Sequence, residues 1–463
     1  MHIQQIYTNC LAQAAYYIES AGEAAIVDPL RNPEPYIALA KERGAVIKYV
    51  LETHFHADFV SGHIDLANKT GAVIVFGPDA NPAYKAFIAK DGELLALGNM
   101  HIEILHTPGH TIESTCYLLR DKTGKAESIF TGDTLFIGDV GRPDLLSGNL
   151  SKEELAAIMF DSLKNKIKPL ADDIVVFPGH GAGSACGKNI STDSQSTIGK
   201  EKLFNYALKL TEKDDFIKAI TTDQPVIPGY FFSDATINKT GCANFDEVLE
   251  KGMKGLTVDG FKELQLNGAV VVDTRSATNF AGGFIPGALN IGLTGDFAVW
   301  VGTFVKPGAA LLLVTEPGKE HEAVERLARI GYDNVLGHLE GGMAAWFAAK
   351  QECGNIPIVD SIDLQDAFAG GAYELLDVRN RREVAKDRIA GSVHIPLNQL
   401  ADAYTALDIK GNWLIYCAGG YRSMIAASFL AAKGYHFVAS VDGGINKIKV
   451  NRPELVELGM ETE

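Results

Sequence analysis

The sequence predicts a multidomain α/β protein, and three observations support this fold class. The chain has 463 residues, 46% of them hydrophobic, which is more than one ordinary hydrophobic core needs. Short apolar runs typical of strands alternate with longer amphipathic runs typical of helices. A related pattern also occurs twice in the second half, at 271–292 and 375–397. We therefore expect three domains, over residues 1–248, 249–354 and 355–463.

Composition narrows the expected partners and location. The formal net charge of -16 at pH 7 argues against nucleic acid and anionic membranes as partners. The six cysteines include no Cys-x-x-Cys pair, so a reducing, cytoplasmic location is expected. The N-terminal residues lack the basic and apolar regions of a signal peptide, and no run of about 18 apolar residues predicts a membrane span.

The first domain shows a regular alternation of elements. Its strand-like runs are AYYIES, AAIVDP, IKYVLET, AVIVFG, MHIEILHTP, STCYLLRD, SIFTGD and DIVVFPGHG. NPEPYIALAKERG and SKEELAAIMFDSLKNKI have the pattern of helices, and Ser151 is suited to cap the second. A further helix is predicted for KEKLFNYALKLTEKDDFIKAIT, and a loop for PVIPGYFFSDATINKTG.

Residues that can bind a metal follow several of these strands. In chain order they are His54 and His56 after IKYVLET, His110 after MHIEILHTP, Asp133 after SIFTG, and His180 after DIVVFPG. If these strands share a sheet, their carboxyl ends bring the loops to one edge. Open α/β sheets place their chemistry at that edge.

Four motifs in this order, THFHAD, TPGHT, FTGDTLF and FPGHG, resemble those of the metallo-β-lactamase fold superfamily. The resemblance implies an αββα sandwich for the first domain. Two-metal hydrolases of this superfamily, such as glyoxalase II, build their second site with the position of Asp58 and a histidine that follows it. This chain has Phe59 there, and a phenyl ring cannot ligate a metal. The first domain therefore resembles the persulfide dioxygenases, which hold one non-haem Fe(II).

This resemblance implies one iron ion per chain and a set of residue roles. The implied ligands are His54, His110 and Asp133. They leave open positions at which dioxygen and the sulfur of a persulfide can bind. The residues implied to orient these ligands, or to remain from a second metal site, are His56, Asp58 and His180. Zinc stays open as the alternative metal, because the same ligands suit it.

Two further residues of the first domain are candidates for the site. The run GDVGRPDLLSGN also resembles a persulfide dioxygenase loop. Arg142, close to Asp144, is expected to fix the geometry of the metal site or to hold a substrate carboxylate, because guanidinium pairs bidentately with carboxylate. A plain ion pair is the alternative. Cys186 is expected to line the substrate channel as a sulfur relay, or else to be a small buried residue.

A second site is predicted in the run LIYCAGGYRSMIAASFLAAKG. An apolar strand ends at Cys417, and a glycine-rich loop leads into a helix that begins near Ser423. The backbone N–H groups of the loop, the helix N-terminus and Arg422 should lower the thiol pKa and hold a persulfide or thiosulfate anion. The loop residues expected to bind substrate are Ala418, Gly419, Gly420, Tyr421 and Ser423.

The runs LLDVRNRREVAKDRIAGSVHIPL and CAGGYRS resemble the rhodanese family. This implies a small α/β domain with a central parallel sheet, in which Cys417 carries sulfur. The earlier copy of the repeat is similar, with Asp273 and Arg275 aligned to Asp377 and Arg379.

The earlier copy lacks the cysteine. Its loop region reads LLLVTEPGKEHEAVERLARIG, and Thr315 or Glu316 stands near the nucleophile position. The glutamates of this run would repel an anionic sulfur species. We expect a rhodanese-like fold that cannot form a persulfide and that serves as a spacer or as the wall of an interface.

Together the resemblances imply a bacterial fusion protein of sulfide detoxification. Its first domain would oxidise a persulfide to sulfite, and Cys417 would exchange sulfur with thiosulfate. The implied partners are a low-molecular-weight thiol persulfide, O2, thiosulfate and sulfite, and a homo-oligomer, dimer or tetramer, is expected. Two alternatives remain open. One is a zinc-dependent, glyoxalase II-like thioester hydrolase fused to a rhodanese, against which Phe59 counts. The other is a non-catalytic sulfur-trafficking protein.

Overall fold

The computed structural model describes residues 1–145, 150–224, 226–364 and 373–458. The chain divides into two compact units. The first unit contains Met1–Glu247 together with Leu327–Gly331. The second contains Val248–Arg326 and the residues from Tyr332 onward.

Two mixed sheets form the centre of the first unit. Their strands are β1 (His2–Thr8), β2 (Gln13–Ser20), β3 (Glu23–Val27), β4 (Val46–Leu51), β5 (Val73–Phe76), β6 (Phe87–Ile88), β7 (Leu94–Leu97), β8 (Met100–His106), β9 (Thr115–Arg120), β10 (Ala126–Gly132), β11 (Val175–Pro178) and β12 (Ser196–Thr197). One sheet has the order β1-β2-β3-β4-β5-β6, and the other has the order β12-β11-β10-β9-β8-β7. Strands β3, β4 and β5 run parallel to one another, as do β10 and β11.

The main core of this unit lies between the two sheets. Tyr16 and Val27 from the first sheet are buried against Ile102, Tyr117 and Phe130 from the second. Their alternation with outward-facing residues follows from the period of a β-strand, which sends successive side chains to opposite faces.

Helices cover the outer face of each sheet. The helices of this unit are α1 (Glu34–Arg43), α2 (His63–Thr70), α3 (Lys152–Ser162), α4 (Ile198–Phe204), α5 (Tyr206–Lys209), α6 (Lys213–Thr221) and α7 (Phe231–Thr240). Residues of α1 and α2 pack on the first sheet, and residues of α3 and α6 pack on the second. The layers are therefore helix, sheet, sheet and helix, as predicted. Ser151 caps α3 in a reciprocal capping box with Glu154, also as predicted.

Two local predictions for this unit are wrong. The single helix predicted at 200–221 is three helices, because the buried side chain of Asn205 accepts from the N–H groups of Ala207 and Leu208 and ends α4. The loop predicted at 225–241 contains helix α7 over Phe231–Thr240; residue 225 lies outside the described residues. The weak apolar periodicity of that segment hid the helix.

The second unit contains two five-stranded parallel sheets. Their strands are β13 (Gly255–Leu256), β14 (Val270–Asp273), β15 (Leu289–Asn290), β16 (Leu311–Val314), β17 (Val335–Leu339), β18 (Ile358–Val359), β19 (Glu374–Asp377), β21 (Val393–His394), β22 (Asn412–Tyr416) and β23 (Phe437–Val441). The sheet orders are β13-β17-β16-β14-β15 and β18-β23-β22-β19-β21. A separate antiparallel pair joins β20 (Asp387–Ile389) to β24 (Val456–Leu458).

Helices connect these parallel strands. They are α8 (Phe245–Gly252), which lies across the division in the chain, α9 (Val258–Leu266), α10 (Ala277–Ala281), α11 (Phe297–Phe304), α12 (Glu320–Ala328), α13 (Gly342–Ala348), α14 (Arg381–Val384), α15 (Leu397–Ala403), α16 (Tyr421–Ala432) and α17 (Gly444–Asn451). The helix predicted to begin near Ser423 is α16, and it begins at Tyr421. The predicted parallel α/β architecture of the two repeats is confirmed.

Within the described residues, no helix has both the length and the apolar character needed to cross a membrane.

Candidate metal centre and cysteine loop

Loops at the carboxyl ends of the strands of the first unit carry the predicted metal-binding residues. His54 follows β4, His110 follows β8, Asp133 follows β10 and His180 follows β11. His54, His110 and Asp133 form one buried cluster, whose ligand atoms all lie within 4.8 Å of one another. The structure thus brings these residues together, although the strands do not share one sheet as expected, because β4 belongs to one sheet and β8, β10 and β11 belong to the other.

Asp133 presents an unpaired oxygen to two imidazoles. Its Oδ2 atom lies 3.5 Å from His110 Nε2 and 4.0 Å from His54 Nε2. Among the residues that the structure describes, no hydrogen-bond donor reaches this buried oxygen. A buried carboxylate oxygen without a donor is rare, and two nitrogens beside it complete the kind of set that binds a transition metal.

Hydrogen bonds fix the tautomers of both imidazoles. His110 Nδ1 lies 2.8 Å from the carbonyl oxygen of Arg142, which can only accept, so Nδ1 carries the proton. His54 Nδ1 lies 2.9 Å from Thr53 Oγ1, and the Thr53 hydroxyl donates to Asp28 Oδ2 at 2.8 Å. Thr53 Oγ1 therefore accepts from His54 Nδ1. Both Nε2 atoms keep a lone pair for a metal. Burial also holds the pKa of His54 well below its ordinary value, so that ring is neutral.

His180 links the first cluster to Asp58. Its Nδ1 lies 2.8 Å from Asp133 Oδ1, and its Nε2 lies 2.7 Å from Asp58 Oδ2. Burial works to lower the pKa of His180, but the two carboxylates outweigh it and raise that pKa well above its ordinary value. The same proximity lowers the pKa of Asp133 against the effect of its burial. His180 therefore holds Asp133 in one orientation.

His56 is held by a different pair of acids. Its Nε2 lies 3.1 Å from Asp28 Oδ1 and 3.7 Å from Glu52 Oε2. Burial lowers the pKa of His56, but Asp28 and Glu52 raise it to about 9. Phe59, which is fully buried, stacks on the His56 ring with 4.3 Å between ring centroids. The phenyl ring thus supports an imidazole.

Two residues that support the site were not predicted from the sequence. Asn238 in α7 donates to the carbonyl oxygens of His56 and Phe59 at 2.8 and 2.7 Å, and accepts from the Ser61 N–H at 2.8 Å. Asp28 adopts a positive φ of 48° and accepts from the N–H and hydroxyl of Thr53. Asp28 could have been found, because it directly follows a buried strand. Asn238 has no local signal in the sequence.

The Arg142 side chain forms hydrogen bonds with other groups of the protein. Its guanidinium donates to Asp144 through two hydrogen bonds of 2.7 and 2.8 Å and to the Ala185 carbonyl oxygen at 3.1 Å. Its backbone carbonyl is the group that orients His110. The guanidinium therefore forms the ion pair that was the alternative, and the roles of fixing the site or holding a substrate carboxylate stay predictions. Residues 146–149 of the same sequence motif lie outside the described residues.

Cys186 is placed beside Asp58 and His180, with ligand atoms within 4.8 Å. It is buried, and burial together with the charges of Asp58 and Asp133 raises the pKa of its thiol well above the ordinary value. A sulfur relay needs a reactive thiolate. The burial of Cys186 agrees with the alternative of a small buried residue, and the sulfur relay stays a prediction.

The cysteine loop of the second unit is built as predicted in its main features. Cys417 follows β22, and its Sγ accepts a hydrogen bond from the Gly420 N–H at 3.1 Å. Gly420 has a φ of 98°, which glycine adopts without strain, and this turn directs the N–H toward the sulfur. Ser423 Oγ lies 3.6 Å from Cys417 Sγ, near the N-terminus of α16.

Other loop residues have different surroundings. The Tyr421 hydroxyl donates to the Gly292 carbonyl oxygen of the first repeat at 2.8 Å. Ala418 and Gly419 are half-buried or exposed within the turn. Arg422, expected to face an anion freely, is paired with Glu383 through two hydrogen bonds of 2.7 Å each. Its charge is therefore balanced inside the protein.

Comparisons with known proteins identify two kinds of domain in this chain. The family model of the metallo-beta-lactamase superfamily matches residues 8–180. The model of the rhodanese-like domain matches residues 257–349 and 361–451. A probable hydroxyacylglutathione hydrolase of Schizosaccharomyces pombe is 31% identical over 44% of this chain and 83% of its own length. The chain belongs to the metallo-beta-lactamase superfamily. Its C-terminal half adds two rhodanese-like domains.

Two further relatives support this membership. The hydroxyacylglutathione hydrolase GloC of Haemophilus influenzae is 31% identical over 44% of this chain and 97% of its own length. The crystal structure of a metallo-beta-lactamase from Staphylococcus aureus is 33% identical, with a TM-score of 0.65 over 73% of this chain and 98% of that chain.

These relatives correct the functional prediction. Several superfamily relatives are named hydroxyacylglutathione hydrolases, which are hydrolases and not dioxygenases. The predicted persulfide dioxygenase activity, with O2 and a persulfide as its substrates, is therefore wrong. The alternative prediction, a glyoxalase II-like hydrolase joined to a rhodanese, agrees better with the findings. Phe59 was given too much weight, since its ring supports His56 and leaves the first cluster intact.

Proposed function

We propose that the first unit is a zinc-dependent hydrolase of thioesters, with a hydroxyacyl thioester of glutathione as the substrate class. The observation that carries the proposal is the unpaired Asp133 Oδ2 facing the Nε2 atoms of His54 and His110. The relatives named hydroxyacylglutathione hydrolases support the substrate class.

The donor set fits a metal ion. Two neutral imidazole nitrogens and one carboxylate oxygen are a ligand set that suits zinc, and iron(II) as well. Zinc is proposed because hydrolysis needs no change of redox state. Bound zinc supplies Lewis-acid chemistry, which polarises a thioester carbonyl and lowers the pKa of water.

The residues of the chain have separate roles in this proposal. His54, His110 and Asp133 would hold the metal. Asp28 acts through Thr53 to keep His54 in the ligating tautomer, and the Arg142 carbonyl does the same for His110. These supporting bonds matter because a ligand that is already oriented loses little freedom on binding.

The experiment measures zinc content and the hydrolysis of a hydroxyacyl thioester of glutathione by the full chain, followed through the loss of thioester absorbance. We expect Asp133→Asn to lose its metal and at least about a thousandfold of kcat/KM, because the isosteric amide is a poor ligand. Cys417→Ser is the matched control and should keep the full rate. A zinc-loaded chain that leaves the thioester intact would contradict the proposal.

We also propose that the last domain transfers sulfane sulfur through Cys417. The specific observation is the Gly420 N–H that donates to Cys417 Sγ at the start of α16, since such a donor stabilises a thiolate. The thiolate would attack the outer sulfur of thiosulfate. That S–S bond breaks with its electron pair leaving on sulfite, and a Cys417 persulfide anion forms.

A further inference from the structure

Tyr421 joins the Cys417 loop to the first rhodanese-like domain. It is the first residue of α16 and directly follows Gly420, whose N–H donates to Cys417 Sγ. The Tyr421 hydroxyl donates to the carbonyl oxygen of Gly292, which belongs to the first of the two domains, at 2.8 Å. The N–H that faces the sulfur is therefore one residue away from a contact between the two domains.

The turn that follows β15 leaves room for the Tyr421 ring. A Cβ atom at Gly295 would lie 2.5 Å from Cε1 and Cζ of this ring, which is far inside van der Waals contact. The φ of Gly295 lies outside the left-handed region that favours glycine. The close approach of the ring, and not the backbone conformation, therefore requires glycine at this position.

Arg326 of α12 fixes the same turn within the first domain. Its guanidinium donates to the carbonyl oxygens of Leu293 and Gly295, the latter at 3.3 Å. The residue is buried, and its guanidinium lies over the Phe297 ring at 5.3 Å from the ring centroid. A planar guanidinium that donates to two neighbouring carbonyls holds both in one geometry. The surface that meets Tyr421 is therefore fixed by residues of its own domain.

Helix α16 has further contacts with the first domain. The Asn290 N–H donates to Ser428 Oγ at 2.9 Å, and the rings of Phe304 and Phe429 pack with 4.9 Å between their centroids. Together with Tyr421, these contacts lie at the beginning and in the second half of the helix. The first domain thus holds the helix whose N-terminus carries the residues next to Cys417.

We propose that the first rhodanese-like domain positions the Cys417 loop for sulfur transfer, and that Gly295 and Arg326 are positioning residues of this reaction. The inference rests on the proposed sulfur transfer through Cys417 and deepens it, because it assigns the cysteine-less domain a part in the reaction. Tyr421, seated on the turn at Gly295, fixes the start of α16 and with it the direction of the Gly420 N–H. A donor that is already oriented stabilises an anionic sulfur without reorganising when the anion forms.

Gly295→Ala tests the contact without changing any residue of the Cys417 loop. The added methyl group displaces the Tyr421 ring, so kcat for sulfite release from thiosulfate should fall about tenfold in the full chain. The backbone amides of the loop peptide over 417–422 should also exchange with deuterium about tenfold faster, as measured by mass spectrometry. Gly282→Ala is the matched control, because a Cβ atom there meets its nearest neighbours at 3.8 Å, and it should change neither value.

Tyr421→Phe is a milder variant that removes only the hydroxyl. Its ring stays on the turn, so we expect about a threefold loss of kcat and a smaller change in exchange of the loop amides. Tyr435→Phe is the control, because the Tyr435 hydroxyl donates to the Tyr404 carbonyl oxygen within the last domain, and it should keep the wild-type rate.

A double variant separates the contact from general damage to the fold. Tyr421→Ala removes the ring, so adding Gly295→Ala should cost nothing more, whereas independent effects would multiply. Multiplied losses, or unchanged loop exchange in both Gly295→Ala and Tyr421→Phe, would overturn the positioning role. Equal sulfite release by wild type and Gly295→Ala defeats this inference alone. A wild type that releases no sulfite, with faster loop exchange in Gly295→Ala, defeats the proposed sulfur transfer alone.

Discussion

In both rhodanese-like domains, an aspartate is the last residue of a strand, β14 in one and β19 in the other. The neighbouring strand, β16 or β22, leads into the loop that begins at Thr315 or Cys417. Asp273 pairs with Val314 in the first domain, and Asp377 pairs with Tyr416 in the second. Each aspartate binds an arginine through several hydrogen bonds, in the buried pairs Asp273–Arg275 and Asp377–Arg379. The two domains therefore share the interactions that hold the sheet to the turn that follows it.

The loops differ in the sign of their charges. Gly420 directs its N–H to Cys417 Sγ, whereas the equivalent Gly318 donates to Glu320 Oε1 at 3.3 Å. Thr315, which stands at the position of Cys417, also donates to Glu320 Oε1, at 3.2 Å. A carboxylate of the protein thus occupies the place where a sulfur anion would be held.

The partner of the loop also changes between the domains. Arg422 in the Cys417 loop is paired with Glu383, and Glu320 takes the position of Arg422 in the first domain. The equivalent of Glu383 is Asn279, which donates to Glu316 at 2.6 Å. The comparison shows that the two domains share the buried aspartate–arginine pair and differ in the charges of the loop, the region proposed to hold an anionic sulfur species.

The largest expected effect concerns the cysteine itself. Cys417→Ser should abolish sulfite release from thiosulfate, because a hydroxyl is a far weaker sulfur acceptor than a thiolate. Adding Thr315→Cys to that variant should restore nothing, since the Gly318 N–H already donates to Glu320 Oε1. Cys353→Ser, at an exposed cysteine of the same unit, is the control and should keep wild-type activity. Activity in the Thr315→Cys variant would break the comparison.

Reversing the charge of the Cys417 loop should have the next largest effect. Arg422→Glu copies the arrangement around Glu320, and we expect about a hundredfold loss of kcat/KM for thiosulfate because a carboxylate then competes for the loop N–H groups. Arg381→Glu makes the same change of net charge at an exposed position and should cost little. Equal losses in the two variants would show that overall charge, and not the loop, is responsible.

Removing the acid that neutralises Arg422 should raise activity modestly. Glu383→Gln leaves the guanidinium with a positive charge facing the loop, so kcat/KM for thiosulfate is expected to rise about fivefold, with a steeper dependence on salt. The comparison would have to be revised if KM increased instead, because Glu383 would then be needed to position Arg422.

The same pair predicts a small pH dependence of stability. Burial raises the pKa of Glu383, but Arg422 outweighs it and lowers that pKa below its ordinary value of 4.5. The stabilisation by the ion pair is therefore present above pH 4.5 and lost as the pH falls through the lowered folded value. Between pH 6 and pH 3, Glu383→Gln should lose less stability than wild type, by under ~1 kcal/mol for this partly exposed pair. Urea-unfolding midpoints at both pH values measure the difference.

Much of this arrangement could be predicted from the sequence. The candidates His54, His56, His110, Asp133 and His180 were noticed because each follows a strand-like run, and the resemblance to a known family then singled out His54, His110 and Asp133 as the implied ligands. The cysteine loop was found for a similar reason. The repeat also exposed the missing cysteine at Thr315.

Other features depend on contacts that are distant in sequence. Helix α7 and the support from Asn238 to the loop at His56 join segments far apart in the chain, so no local pattern reveals them. The pairing of Arg422 with Glu383 is of the same kind. The interpretation of Phe59 was wrong for a different reason. This one residue of a motif was used to choose between a hydrolase and a dioxygenase, although the sequence does not show what surrounds its ring.

The most direct test of the central claim is the hydrolysis of a hydroxyacyl thioester of glutathione by the metal-loaded full chain, compared with Asp133→Asn and Cys417→Ser. We predict thioester cleavage by the zinc-loaded wild type and by Cys417→Ser, and loss of both zinc and cleavage in Asp133→Asn. A wild-type chain that holds zinc at full occupancy and releases no free thiol from the thioester would contradict the assignment of the first unit as a hydrolase.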